Sequence, residues 1–131
     1  MEKIIRIEET VFKEDPKQYF NYEGFQIVTD KQVIKLGISD DQSCCERAGY
    51  FMSEDNLKEF EGSSLLNIFL VDTNLNVERY NRENLYSPYL MFVNIKTDKG
   101  LLQFVAYNDH NGYYGHSAIV ISEQLNHKEV L

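Results

Sequence analysis

From Ser64 onward the pattern of apolar and polar positions is that of β-strands. Earlier in the chain it alternates with a period of two, as in strands that bury one face. Phe25 and Ile27 alternate with Gln26, and Ile34, Leu36 and Ile38 with Lys35 and Gly37. With Asp30-Lys31 between them, these predict a hairpin over 25–29 and 32–38. Residues 65–71 are apolar on nearly both alternating sets, as expected of a central strand. Residues 74–80 alternate weakly and predict a short edge strand, with a polar loop over 81–88. Strands over 89–96 and 101–107 are joined by Thr97-Asp-Lys-Gly100, which suits a type I turn with Gly100 left-handed in a bulge. Residues 116–122 read as the last strand and 124–131 as a fraying tail. One helix is expected, over 54–60. Ser53 is placed to cap it, Glu54 and Asp55 complement its dipole, Met52 and Leu57 stand at staple positions, and Gly62 stops it. Residues 2–13 fit neither period, and Lys13-Glu-Asp-Pro16 breaks that segment. The expected fold class is α+β. It is a mainly antiparallel, strongly curved sheet or open barrel of about six or seven strands with one short helix.

Composition narrows the function classes. A chain of 131 residues predicts one domain with its own core, leaving 1–20 ambiguous. The net charge of −8 argues against nucleic acid or an anionic membrane as a general partner, because phosphate binding needs clustered Lys and Arg. Acidity is concentrated early: residues 1–61 hold 14 acids against 8 bases, and residues 62–131 hold 7 against 5. Solubility explains such a surface, and so does competition for a basic site on another protein. No stretch reaches the length of a transmembrane helix, and Met1–Glu9 has no signal-peptide core. Cys44 and Cys45 are adjacent, so reduced thiols are the default. A cytoplasmic protein is expected.

Candidate chemistry concentrates in one connection. Asn108, Asp109, His110, Asn111, Tyr113, Tyr114 and His116 stand within nine residues between two apolar runs, with Gly112 and Gly115 allowing backbone turns closed to other residues. A structural turn accounts for these residues. A ligand-binding loop held by rigid strands accounts for them too. Two further chemistries can be written with the cysteines. Cys44, Cys45, His110 and His116 form a tetrahedral zinc set on paper, though adjacent cysteines lack the usual two-to-four-residue spacing, and no cofactor is the expectation. A Cys44 or Cys45 nucleophile with His110 or His116 as base, oriented by Asp40, Asp41 or Asp109, would make a small hydrolase or transferase. Asp40 and Asp41, like Glu59 and Glu61, read as solvated or capping carboxylates rather than an acid/base pair.

Three stretches carry a resemblance: Ser39-Asp-Asp-Gln-Ser-Cys-Cys-Glu46, Gly49-Tyr-Phe-Met52, and Leu102-Gln-Phe-Val-Ala-Tyr-Asn-Asp-His-Asn-Gly-Tyr-Tyr-Gly-His116. Over about residues 25–122 the sequence resembles an uncharacterised domain-of-unknown-function family of small proteins from phages and Gram-positive bacteria. The resemblance implies no activity, substrate or cofactor. It does imply that the Cys-Cys connection and the His110–His116 loop belong together. A phage setting implies a non-enzymatic binding module in the cytoplasm of the bacterial host cell. Such a module would inhibit a host defence protein or sequester a small ligand through 108–116. A nucleotide ligand would have to draw on Arg47, Arg79, Arg82, Lys96 and Lys99, few bases for that task. A structural or homo-oligomeric protein sealing its strand edges is a third class.

Overall fold

A computed structural model describes residues 1–41, 47–52, 56–85, 88–109 and 115–131. Its strands are β1 (Glu2–Phe12), β2 (Tyr22–Thr29), β3 (Val33–Ser39), β4 (Arg47–Met52), β5 (Ser64–Val71), β6 (Pro88–Thr97), β7 (Gly100–Asp109), β8 (Ser117–Ile121) and β9 (Asn126–Val130). Between them lie a 3-10 turn, Leu57–Phe60, and one helix, α1 (Val77–Arg82). The strands form one sheet in the order β4-β7-β6-β5-β1-β2-β3-β8-β9, and every pairing is antiparallel. β4 and β9 are its two ends, so the sheet is not closed. It is folded over at β1, where the β1–β5 ladder spans only Glu2 and Lys3, and β4 comes to lie against β2 and β3.

The core fills that fold. Ile27, Ile34 and Leu36 of one half meet Val93, Ile95, Leu102 and Phe104 of the other, all fully buried. Each such side chain contributes about 1.5–3 kcal/mol of hydrophobic stabilisation. Phe25 packs on Phe104 with ring centroids 5.1 Å apart. A second, smaller cluster covers the outer face of β1–β2–β3–β8, where Phe12 stacks on Tyr22 at 5.4 Å beside Ile119. Gly37 makes room for it, since a Cβ there would stand 2.8 Å from the Phe12 ring. The start of β1 is tied down by a buried carboxylate. Glu2 accepts from the Thr29 hydroxyl at 2.5 Å and from the side-chain amides of Gln32 at 2.8 Å and Gln124 at 3.2 Å. Those donors join the β2–β3 and β8–β9 turns to the chain's first strand.

Nine strands and a single short helix among the described residues make the protein nearly all-β, which overturns the α+β expectation of six or seven strands with a helix over 54–60. The expected helix is a 3-10 turn with Asn56 as its cap, accepting from Lys58 N–H; Ser53 lies outside the described residues. Leu57 and Phe60 are spaced three apart, the repeat of a 3-10 turn. The edge strand expected over 74–80 is replaced by α1, because Asn76 accepts from Arg79 N–H and caps a helix, and Arg79 pairs with Glu83 one turn on. Three strands were hidden. β1 lost its alternation because a bulge between Ile4 and Arg6 shifts the phase of the side chains. β4 is short and interrupted by Gly49. The segment expected to fray, 124–131, contains β9, which pairs with β8 along its whole length. The strands expected over 25–29, 32–38, 65–71, 89–96, 101–107 and 116–122 correspond to β2, β3, β5, β6, β7 and β8. Gly62 and Gly100 have positive φ (+85° and +127°), as the turns require.

Candidate functional site

The two connections singled out by the sequence leave the sheet at the same end. β3 ends at Ser39, paired with Tyr22, and the chain re-enters the sheet in β4, where Arg47 pairs with Asp109 at the end of β7. β8 begins at Ser117, directly after His116. His116 is buried, with Nδ1 2.7 Å from the Ser39 carbonyl oxygen and 3.1 Å from the Ser39 hydroxyl. A carbonyl only accepts, so the Nδ1 proton is donated to Ser39 and the tautomer is set. The base of one connection is thereby bonded to the base of the other across 77 residues of sequence.

Leu131 completes the anchor. Its N–H donates to the His116 carbonyl at 2.8 Å, and its carbonyl oxygen accepts from His116 N–H at 3.0 Å. The Asn108 side-chain amide, fully buried on the core-facing side of β7, donates to the same oxygen at 2.9 Å. Gly115 is required here by space. A Cβ there would stand 2.5 Å from a Val130 methyl group.

The approach to the first connection is held as firmly. The Asp40 carboxylate accepts from Asn21 N–H at 2.8 Å, and the Asp40 N–H donates to the Asn21 carbonyl at 2.9 Å. Asp41 accepts from the Tyr19 hydroxyl at 2.9 Å, and that bond, with the carboxylate's charge, raises the phenol above its ordinary range. Both aspartates thus hold backbone and aromatic groups in place.

Of the predicted site residues, Asn108, Asp109 and His116 are described, and they stand at the two ends of the loop. Asn108 and His116 face inward as supports; Asp109, half-buried, ends β7. His110, Asn111, Tyr113, Tyr114, Gly112, Cys44 and Cys45 lie outside the described residues. Among the described residues no group of three or more His, Cys, Asp or Glu is arranged to hold a metal ion. Ser39 and Leu131 were missed as supports. Ser39 works mainly through its carbonyl, which no residue type reveals, and Leu131 directly follows β9, a strand the pattern hid.

No described helix is long and apolar enough to cross a membrane. No curated protein and no solved structure matches the chain. Residues 1–120 match the model of a domain of unknown function (DUF7448), so the chain, with the N-terminal strand that its recognisable motifs leave out, belongs to that family.

Proposed function

We propose that the protein is a non-enzymatic binding module whose recognition end is the end of the sheet from which the 39–47 and 108–116 connections emerge. The His116–Ser39 bond carries the reading, because it fixes both connections to one rigid base. Sites of this kind place polar and aromatic groups on loops and hold them with strands. Asn108 and His116 are the supports, and Asp109, His110, Asn111, Tyr113 and Tyr114 are the contact residues. A net charge of −8 favours a basic surface of a partner protein over nucleic acid. In a phage setting the partner is a host protein, such as a defence protein, met in the bacterial cytoplasm; a sequestered small ligand would use the same residues. The reading requires no cofactor.

Affinity capture from a Gram-positive bacterial lysate, read by native mass spectrometry, tests it with wild type and a Tyr113→Ala/Tyr114→Ala variant. Wild type should retain a protein or small molecule that the variant loses at least about tenfold, the effect of removing two aromatic contacts, with an unchanged melting temperature. Equal retention by both, or retention by neither, sinks the reading.

A further inference from the structure

β9 is one end of the sheet, and its register shows which main-chain groups lie on the outer edge. His116 and Leu131 exchange both main-chain bonds, so they form a hydrogen-bonded pair. Bonded and non-bonded pairs alternate along an antiparallel ladder, so the next bonded pairs are Ala118–Glu129 and Val120–His127. Asn126, Lys128 and Val130 fall on non-bonded pairs, and their N–H and C=O groups point away from β8. Among the described residues nothing bonds to those main-chain groups, and the only strand lying along β9 is β8. All three residues are exposed, Val130 at 72%. Such an edge can take an added strand, and its polar side chains restrict which one.

The side chains match a second copy of the same strand. His127 and Glu129 stand opposite the core residues Val120 and Ala118, so they share the core-facing side, with Nε2 and Oε1 3.3 Å apart. Asn126, Lys128 and Val130 occupy the other side, where Lys128 Nζ lies 2.6 Å from the Glu14 carboxylate. A second copy turned about a twofold axis at Lys128 brings an identical strand antiparallel to the first. His127, a hydrogen-bond donor, then faces the partner's Glu129, and Glu129 faces the partner's His127. Val130 lies beside the partner's Asn126. The two Lys128 side chains meet across the axis, each paired with its own Glu14. A slip of two residues either way sets carboxylate against carboxylate at Glu129 or ring against ring at His127. Side-chain chemistry thus selects the central register.

We propose that the protein pairs with a second copy of itself through β9, joining two sheets across a twofold axis at Lys128. The seam uses residues 126–130 and none of the 39–47 or 108–116 connections. Because the paired strands run in opposite directions, the two proposed recognition ends point away from each other. One strand pair is a small interface, in the class of weak and transient contacts, so the dimer belongs to high protein concentration.

Sedimentation velocity of the full chain, from about 10 μM to about 1 mM, should show a monomer–dimer equilibrium. Lys128→Pro removes an outward N–H that β8 does not use, so the β8 ladder stays and dimerisation should be lost. Glu129→Lys sets a cation against the partner's His127 and should weaken association at least about tenfold. His127→Glu/Glu129→Lys exchanges the two roles and should restore it. Melting temperatures check the fold of each variant, and nuclear magnetic resonance of mixed isotope labellings tests the unaltered protein. There the Hα of His127 in one copy should lie against the Hα of Glu129 in the other, the close approach of a non-bonded pair. A monomer at every concentration, a dimer indifferent to Lys128→Pro or Glu129→Lys, a loss that the exchange does not restore, or contacts between copies at 108–116 instead of β9 would each overturn the proposal.

Discussion

His116 shows how one side chain decides what a loop can do. Its ring is buried and its Nδ1–H is spent on a backbone carbonyl, so its chief contribution is to hold the loop's end in register with the end of β3. Removing it leaves the Ser39 carbonyl buried without this donor and opens a cavity. His116→Ala should therefore cost about 2–4 kcal/mol, the sum of a lost donor and the cavity. Ser39→Ala removes only the hydroxyl at 3.1 Å and keeps the carbonyl bond, so its cost should stay below about 1 kcal/mol. Urea denaturation of the two variants checks the division. Equal losses would mean that the hydroxyl, not the carbonyl, is the partner that matters. The loop itself was legible from composition, because no other stretch packs so many hydrogen-bonding and aromatic residues between apolar runs. Its anchor was not, because a main-chain acceptor 77 residues away leaves no mark on residue type.

Among the elements, β9 is the one whose sequence says least and whose position matters most for the site. Asn126-His-Lys-Glu-Val130 is polar because it is the sheet's outermost strand, covered on one side only, and polar edge strands resist further pairing. It nevertheless closes β8 and carries Leu131 to His116 and Asn108. A chain ended at Glu123 should lose the β8–β9 ladder, a buried leucine and the anchor together. A thermal midpoint lower by about 10 °C or more is expected, from a loss of at least about 3 kcal/mol in a domain of this size. A midpoint within about 2 °C of the full chain, read by circular dichroism, would show that the strand is not coupled to the core. The hairpins β2–β3 and β6–β7 were readable because buried apolar residues recur at every second position in them: Phe25 and Ile27, Ile34 to Ile38, Met91 to Ile95, and Leu102 to Ala106. β1 was not, because the bulge after Ile4 turns Ile7 and Ile4 to the same side with an even-odd break between them. At 74–80 the chance alternation of Leu75 and Val77 read as a strand, whereas the Asn76 cap, a local hydrogen bond, decided for helix.

At the scale of the molecule, Tyr50 is placed to report on the union of the two halves of the folded sheet. It stands on β4, packs against the main core, and turns its hydroxyl toward the Ile119 carbonyl of β8, 3.5 Å away. Burial pushes its phenol well above the ordinary tyrosine value, and the charge of Glu129 on β9 adds to the shift. A raised value in the folded state means that the fold holds a proton which the unfolded chain releases near pH 10. That stability is fully present below about pH 10 and is lost as pH rises beyond it, by at most about 1.4 kcal/mol per pH unit for a single proton. Tyr50→Phe keeps the ring in the core and has no proton to lose. Its cost at neutral pH should be under about 1 kcal/mol, since the hydroxyl's contact is long. Above pH 10 its stability should fall less steeply than that of wild type. Tyr19 is shifted in the same direction by its bond to Asp41, but it is exposed, so Tyr19→Phe should leave the alkaline slope nearly unchanged. Urea midpoints measured between about pH 8 and pH 11 for the three proteins separate these cases. Parallel curves for wild type and Tyr50→Phe would mean that β4 yields to alkali through some other group. A flattened curve for Tyr50→Phe alone would show that ionisation of Tyr50 drives the alkaline loss, from the strand that ends the sheet.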